Sequence, residues 1–126
     1  MDLRTPLAKA RGLGSAKEGS HHWWMQRLTA IALIPLCLWI GLALAALPGA
    51  GYAATVAWIG SPWNNVLLIA LIIAVSYHTV LGLQVVIEDY VHIEWVKVGS
   101  IIGLKLLITF LALASVIATI RIAFIG

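Results

Sequence analysis

The sequence predicts an all-α membrane protein with three transmembrane helices, a cytoplasmic N-terminal segment, and a short interfacial segment between the first and second helices. Three observations carry that prediction. Of 126 residues, 62% are hydrophobic and only 10% are charged, far from the balance of a soluble domain. The sixty residues 28–87, between Arg27 and Glu88, include no Lys, Arg, Asp or Glu. At about 1.5 Å per residue and a hydrocarbon core of about 30 Å, about 20 apolar residues cross once. That stretch therefore holds two crossings and a turn, and a third apolar run follows it.

Residues 28–47 form the first span, ended by the breaker Pro48-Gly49-Ala50-Gly51. Pro35 inside it lacks a backbone donor, and a kink is expected there that neighbouring helices can accommodate. Residues 53–65 are short, contain Gly60-Ser61-Pro62 and carry Trp58 and Trp63, the composition of an aromatic belt at the interface. Residues 66–87 form the second span, which stops at Glu88 and Asp89. The third covers residues 98–120; Lys105 within it and Arg121 at its close are near enough to an end for their long stems to snorkel.

Charge sets the direction. Arg4, Lys9, Arg11, Lys17 and Arg27 precede the first span, Lys97 lies in the second loop, and the first loop has neither Lys nor Arg. The positive-inside rule places residues 1–27 and the Glu88–Lys97 loop in the cytoplasm, or in the matrix of an organelle, with the C-terminus opposite. The first twenty residues, with Gly12, Gly14, Ser15, Gly19 and Ser20, are expected to be flexible until bound.

The same features exclude several functions. The formal charge of +3 comes mainly from residues ahead of a span rather than from a basic face, so it signals topology and not nucleic-acid binding. Cys37 is the single cysteine, which rules out a disulfide framework or a thiolate metal cluster within the chain. The first apolar run is too long, and too far from the N-terminus, for a signal peptide. No loop is large enough for a soluble domain, so soluble chemistry must come from another chain.

His78 is the thirteenth residue of the second span and falls near the bilayer centre. A hydrogen-bonded packing histidine, a proton relay, a metal ligand and a haem ligand are all open to it, and an ionisable group inside a span is a functional candidate by default. Ala74 and Gly82, at i−4 and i+4, share its face; small residues there leave a slot for a flat macrocycle or for another helix. Asp89, eleven residues on, returns to within about 20° of the His78 direction, about 16 Å along the helix, with Tyr90 beside it. A carboxylate and a phenol at the membrane edge can bind a quinone carbonyl and relay protons, although a solvated loop explains them as well. Arg27, on the same side, can pair with haem propionates or lipid phosphate, and His21-His22-Trp23-Trp24 reads as an interfacial anchor. With one histidine inside a span, bis-histidine ligation needs a second chain.

Two stretches, WWMQRLTAIALIPLCLWI and HTVLGLQVVIEDY, together with the three-span plan, resemble the bacterial-type hydrophobic membrane anchor subunits of succinate dehydrogenase, respiratory complex II. The resemblance extends from about residue 14 to the end. It implies that His78 is an axial ligand to the iron of a haem b whose second ligand comes from a partner anchor subunit. It further implies that Tyr90 contacts ubiquinone with Asp89 as the acid beside it, and that Arg27 lies near the haem propionates. The implied partners are a second membrane anchor of cytochrome b type, an iron-sulfur subunit and a flavoprotein subunit. The chain itself would have no catalytic residue in isolation, and its location would be the bacterial inner membrane or the mitochondrial inner membrane. Glu88 stands where the family often has a neutral polar residue, and His92 adds an ionisable group nearby. Two rivals are a haem-free structural anchor that docks through Gly99 and Gly103, and a small channel that uses His78 and Lys105.

Overall fold

The computed structural model describes residue 6 and residues 15–126, and among these every regular element is a helix. Helix α1 covers Ser15–Ala46, α2 covers Tyr52–Gly60, α3 covers Pro62–Tyr90 and α4 covers Glu94–Ile125. Three of them, α1, α3 and α4, are long and apolar enough to cross a membrane. At about 1.5 Å per residue each exceeds a hydrocarbon core of about 30 Å, so their ends project beyond it.

The helices overrun the apolar runs that predict them. Helix α1 begins at Ser15 rather than Leu28, so Ser15–Ser20 are helical and not the flexible segment expected. Polar residues that cannot lie in lipid can still continue a helix into the interface, where water and headgroups satisfy their side chains. The expected flexibility of residues 1–14, and the side chains of Arg4, Lys9, Arg11 and Lys17, lie outside the described residues. Pro35 falls within α1, which continues past it.

The first turn is set by glycine. Gly49 and Gly51 hold φ values of 85° and 89°, a left-handed region that a side chain rarely adopts, and α2 starts directly after the second of them. Ser61 alone separates α2 from α3, and Pro62 opens α3 at its first turn, where proline's missing N–H is not needed. Trp63, Asn64 and Asn65 therefore belong to the second membrane helix and not to the interfacial segment. Only Val91–Ile93 link α3 to α4.

Helix α3 is packed between α1 on one side and α4 on the other, and the short α2 leans on α3 and α4. Asn65, 8% exposed, ties this end together. Its amide donates to the Ile59 carbonyl at 3.0 Å and to the Thr119 carbonyl at 2.8 Å, and the neighbouring Asn64 amide donates to the Trp58 carbonyl at 2.9 Å. Two of the orphan carbonyls at the end of α2 are thus satisfied by side chains of α3. Gly60 lets α2 approach the α4 backbone: a Cβ there would stand 3.4 Å from the Ile122 carbonyl oxygen. Trp58 of α2 also stacks on Trp39 of α1, with ring centroids 5.3 Å apart.

Most large apolar side chains of the three long helices face outward, and Leu81 is the one buried hydrophobic residue among the described residues. A soluble protein inverts that arrangement. Here lipid, or another membrane chain, takes the place of a core.

Candidate functional site

The α1–α3 interface is polar at one level. Thr29 of α1 is 7% exposed, and its hydroxyl lies 3.0 Å from His78 Nδ1 of α3. The same hydroxyl is 2.7 Å from the Met25 carbonyl and 3.1 Å from the Gln26 carbonyl, the back-bonding that serine and threonine make inside helices. The His78 ring is half-buried, and its Nε2 makes no hydrogen bond among the described residues.

One turn further along α3, Gly82 meets α1 again: a Cβ on Gly82 would stand 3.7 Å from Gln26 Nε2. The small residue beside His78 therefore receives the Gln26 side chain, which occupies part of the slot expected there. Gln26 Oε1 and His22 Nε2 are both buried, and neither has a hydrogen-bond partner among the described residues. Their residues are four apart on α1, so they share a face. His22 is half-buried, which separates it from the exposed His21, Trp23 and Trp24 of the anchoring cluster. Thr29, Gln26 and His22 were not legible as site residues in the sequence, because only the crossing of α1 over α3 brings them to this interface.

Helix α3 runs unbroken to Tyr90, so Asp89 keeps its register with His78, about 16 Å along the axis. Asp89 and Tyr90 are exposed, Tyr90 at 77%. A phenol and a carboxylate are thus presented outward at the helix end. Glu88 is engaged locally, accepting from Gln84 Nε2 at 3.1 Å, and exposed His92 follows in the link to α4.

Arg27 is exposed, and its guanidinium lies 5.2 Å from the centre of the Trp23 ring, a cation–π contact. Trp23 in turn meets Trp24 edge to face at 5.1 Å. The structure thus brings His78 together with Thr29, and Gly82 with Gln26, while Arg27, Asp89 and Tyr90 remain on the outside of the bundle.

A separate open apolar groove of about 510 Å³ runs between α3 and α4, with Tyr77, Val80, Lys105 and Thr109 among its lining residues. His78, Asp89 and Tyr90 do not line it. The described residues contain no group of three or more His, Cys, Asp or Glu that could hold a metal ion.

Comparison with known proteins gives this arrangement a family. The model of the succinate dehydrogenase/fumarate reductase transmembrane subunits matches residues 1–120. The chain belongs to that family. The succinate dehydrogenase hydrophobic membrane anchor subunit of Rickettsia bellii is 37% identical over 117 residues, covering 93% of this chain and 94% of the relative. The succinate dehydrogenase membrane anchor subunit of Reclinomonas americana is 32% identical over 94 residues, covering 72% and 78%. The corresponding hydrophobic membrane anchor subunit of Paracoccus denitrificans is 31% identical over 86 residues, covering 68% and 67%. No solved structure gives a significant match. As a succinate dehydrogenase/fumarate reductase transmembrane subunit, the chain is a multi-pass, non-catalytic membrane subunit that works in association with the other subunits of a complex.

Proposed function

We propose that this anchor subunit supplies one axial ligand, His78, to a haem b shared with a second membrane anchor, and contributes Asp89 and Tyr90 to a ubiquinone site. The complex would be a succinate:ubiquinone oxidoreductase in a bacterial inner membrane, or in the mitochondrial inner membrane, with residues 1–27 on the cytoplasmic or matrix side and the C-terminus opposite. A flavoprotein subunit and an iron-sulfur subunit would sit against that side.

The observation that carries this reading is the state of His78: one ring nitrogen is held by Thr29, and the other makes no hydrogen bond among the described residues, on a half-buried residue near the middle of a membrane helix. A metal-ligating imidazole has that form, with one nitrogen engaged by a protein group and the other left for the metal. Haem bound there would provide a one-electron carrier between the soluble subunits and the membrane. With His78 the one histidine of the sixty uncharged residues 28–87, a second ligand would come from the partner anchor.

At the helix end, the Tyr90 hydroxyl would donate to a quinone carbonyl, and the Asp89 carboxylate would accept from water or from a neighbouring donor. Quinone reduction takes up two electrons and two protons, so a group that holds and releases protons must stand beside it. Arg27, lying on Trp23, would offer a guanidinium to propionates or lipid phosphate.

Purification of the complex through a tag on this chain tests the reading. Three co-purifying subunits and a reduced haem b absorbance are expected. The same subunits without haem would replace it with a purely structural anchor.

A further inference from the structure

The hydroxyl of Thr29 has one proton and three close neighbours. Two of them, the Met25 and Gln26 carbonyl oxygens at 2.7 and 3.1 Å, can only accept. The third, His78 Nδ1 at 3.0 Å, can donate or accept according to the tautomer. Were the hydroxyl to donate to Nδ1, its lone pairs would face the Met25 oxygen at 2.7 Å with no proton between them. That distance is the usual length of an O–H···O hydrogen bond. The proton therefore points back along α1, and Nδ1–H donates to the threonine oxygen.

We infer that Thr29 is a positioning residue that holds His78 in the Nδ1–H tautomer and so leaves the Nε2 lone pair free as the ligating atom. The inference rests on the reading of His78 as a haem ligand for its use, but the tautomer itself is a property of this chain. The burial of Thr29 adds to it: at 7% exposure, exchange of either partner for water is restricted. Helix back-bonding commits the only hydroxyl proton, and the imidazole has no other choice at Nδ1. A packing histidine would need no fixed tautomer, whereas a ligand to a metal does. Sequence alone hides this, since a threonine two residues beyond Arg27 in an apolar run looks like filler.

Nitrogen-15 NMR of the full-length chain in lipid without haem reads the tautomer directly, the His78 signals being those absent from His78→Ala. Wild type is expected to show a protonated Nδ1 and an unprotonated Nε2. Thr29→Val should lose that preference, and Thr29→Ser, which restores the hydroxyl, should regain it. In the assembled complex, Thr29→Val should lower haem affinity by about 10- to 100-fold, the usual effect of losing a group that orients a ligand, with Thr29→Ser close to wild type. A wild-type signal with Nε2 protonated, or an Nδ1–H tautomer that survives Thr29→Val, overturns the inference. Neither result bears on whether His78 binds haem, which haem content in His78→Ala reads separately. Should Thr29→Val not fold, Thr29→Ala removes the hydroxyl in its place, with the same expected and overturning results.

Discussion

The Asn65 amide donates to the Thr119 carbonyl at 2.8 Å, 54 residues along the chain, and with its other bond to Ile59 joins three helices at one point. Interhelical hydrogen bonds in membranes are worth about 0.6 kcal/mol on average and up to about 1.7. Asn65→Ala removes two bonds from a buried position, so a loss of about 1–2 kcal/mol is expected in unfolding of the purified complex in detergent. Asn64→Ala, at a half-buried position with one bond, should cost less. Equal effects from the two would deny Asn65 its bridging role.

Glycine at position 82 is a matter of degree. A Cβ there makes ordinary contact with Gln26 at 3.7 Å, so Gly82→Ala should assemble normally. Gly82→Leu must displace Gln26 and force α1 from α3 next to the Thr29–His78 pair. Haem content of the two purified variants is the measurement: near wild type for alanine, and reduced several-fold for leucine. Loss in both would mean that glycine is required for something other than the approach of Gln26.

Tyr90 is exposed and makes no hydrogen bond within the described residues, so Tyr90→Phe should leave the fold intact. Loss of one hydrogen bond to a quinone, worth about 1 kcal/mol or somewhat more, corresponds to roughly tenfold in binding or rate. Succinate-dependent quinone reduction should fall by about that factor, while succinate oxidation with a soluble dye stays within about twofold. Quinone reduction at the wild-type rate would remove Tyr90 from the site.

Much of the architecture was legible because its physical cause is one-dimensional. Sixty residues without a charge cannot be anything but membrane spans, and Gly49 and Gly51 mark the turn through their backbone freedom. The start of α3 was misplaced because Pro62 reads as a breaker in a sequence, although at the first turn of a helix it is a starter; only its position relative to Ser61 decides. The ends of α1 and α4 ran past their apolar stretches for a related reason, since hydropathy reports the lipid boundary and not the helix boundary.

The site was legible in part. His78, Asp89 and Tyr90 stand out as ionisable or phenolic groups in or beside an apolar run, and the helix keeps the register that relates them. Thr29, Gln26 and Asn65 could not be found that way, because each acts through a partner on another helix, up to 54 residues away for Asn65. Periodicity fixes the face of a helix, but not which neighbour meets it or at what height.

The central claim is that His78 ligates haem, and His78→Ala in the assembled complex tests it most directly. Pyridine haemochrome analysis of haem per complex, with the reduced absorbance spectrum, should show haem b lost or its spectrum changed while the soluble subunits still co-purify. A complex of His78→Ala with wild-type haem content and an unaltered spectrum would contradict the account.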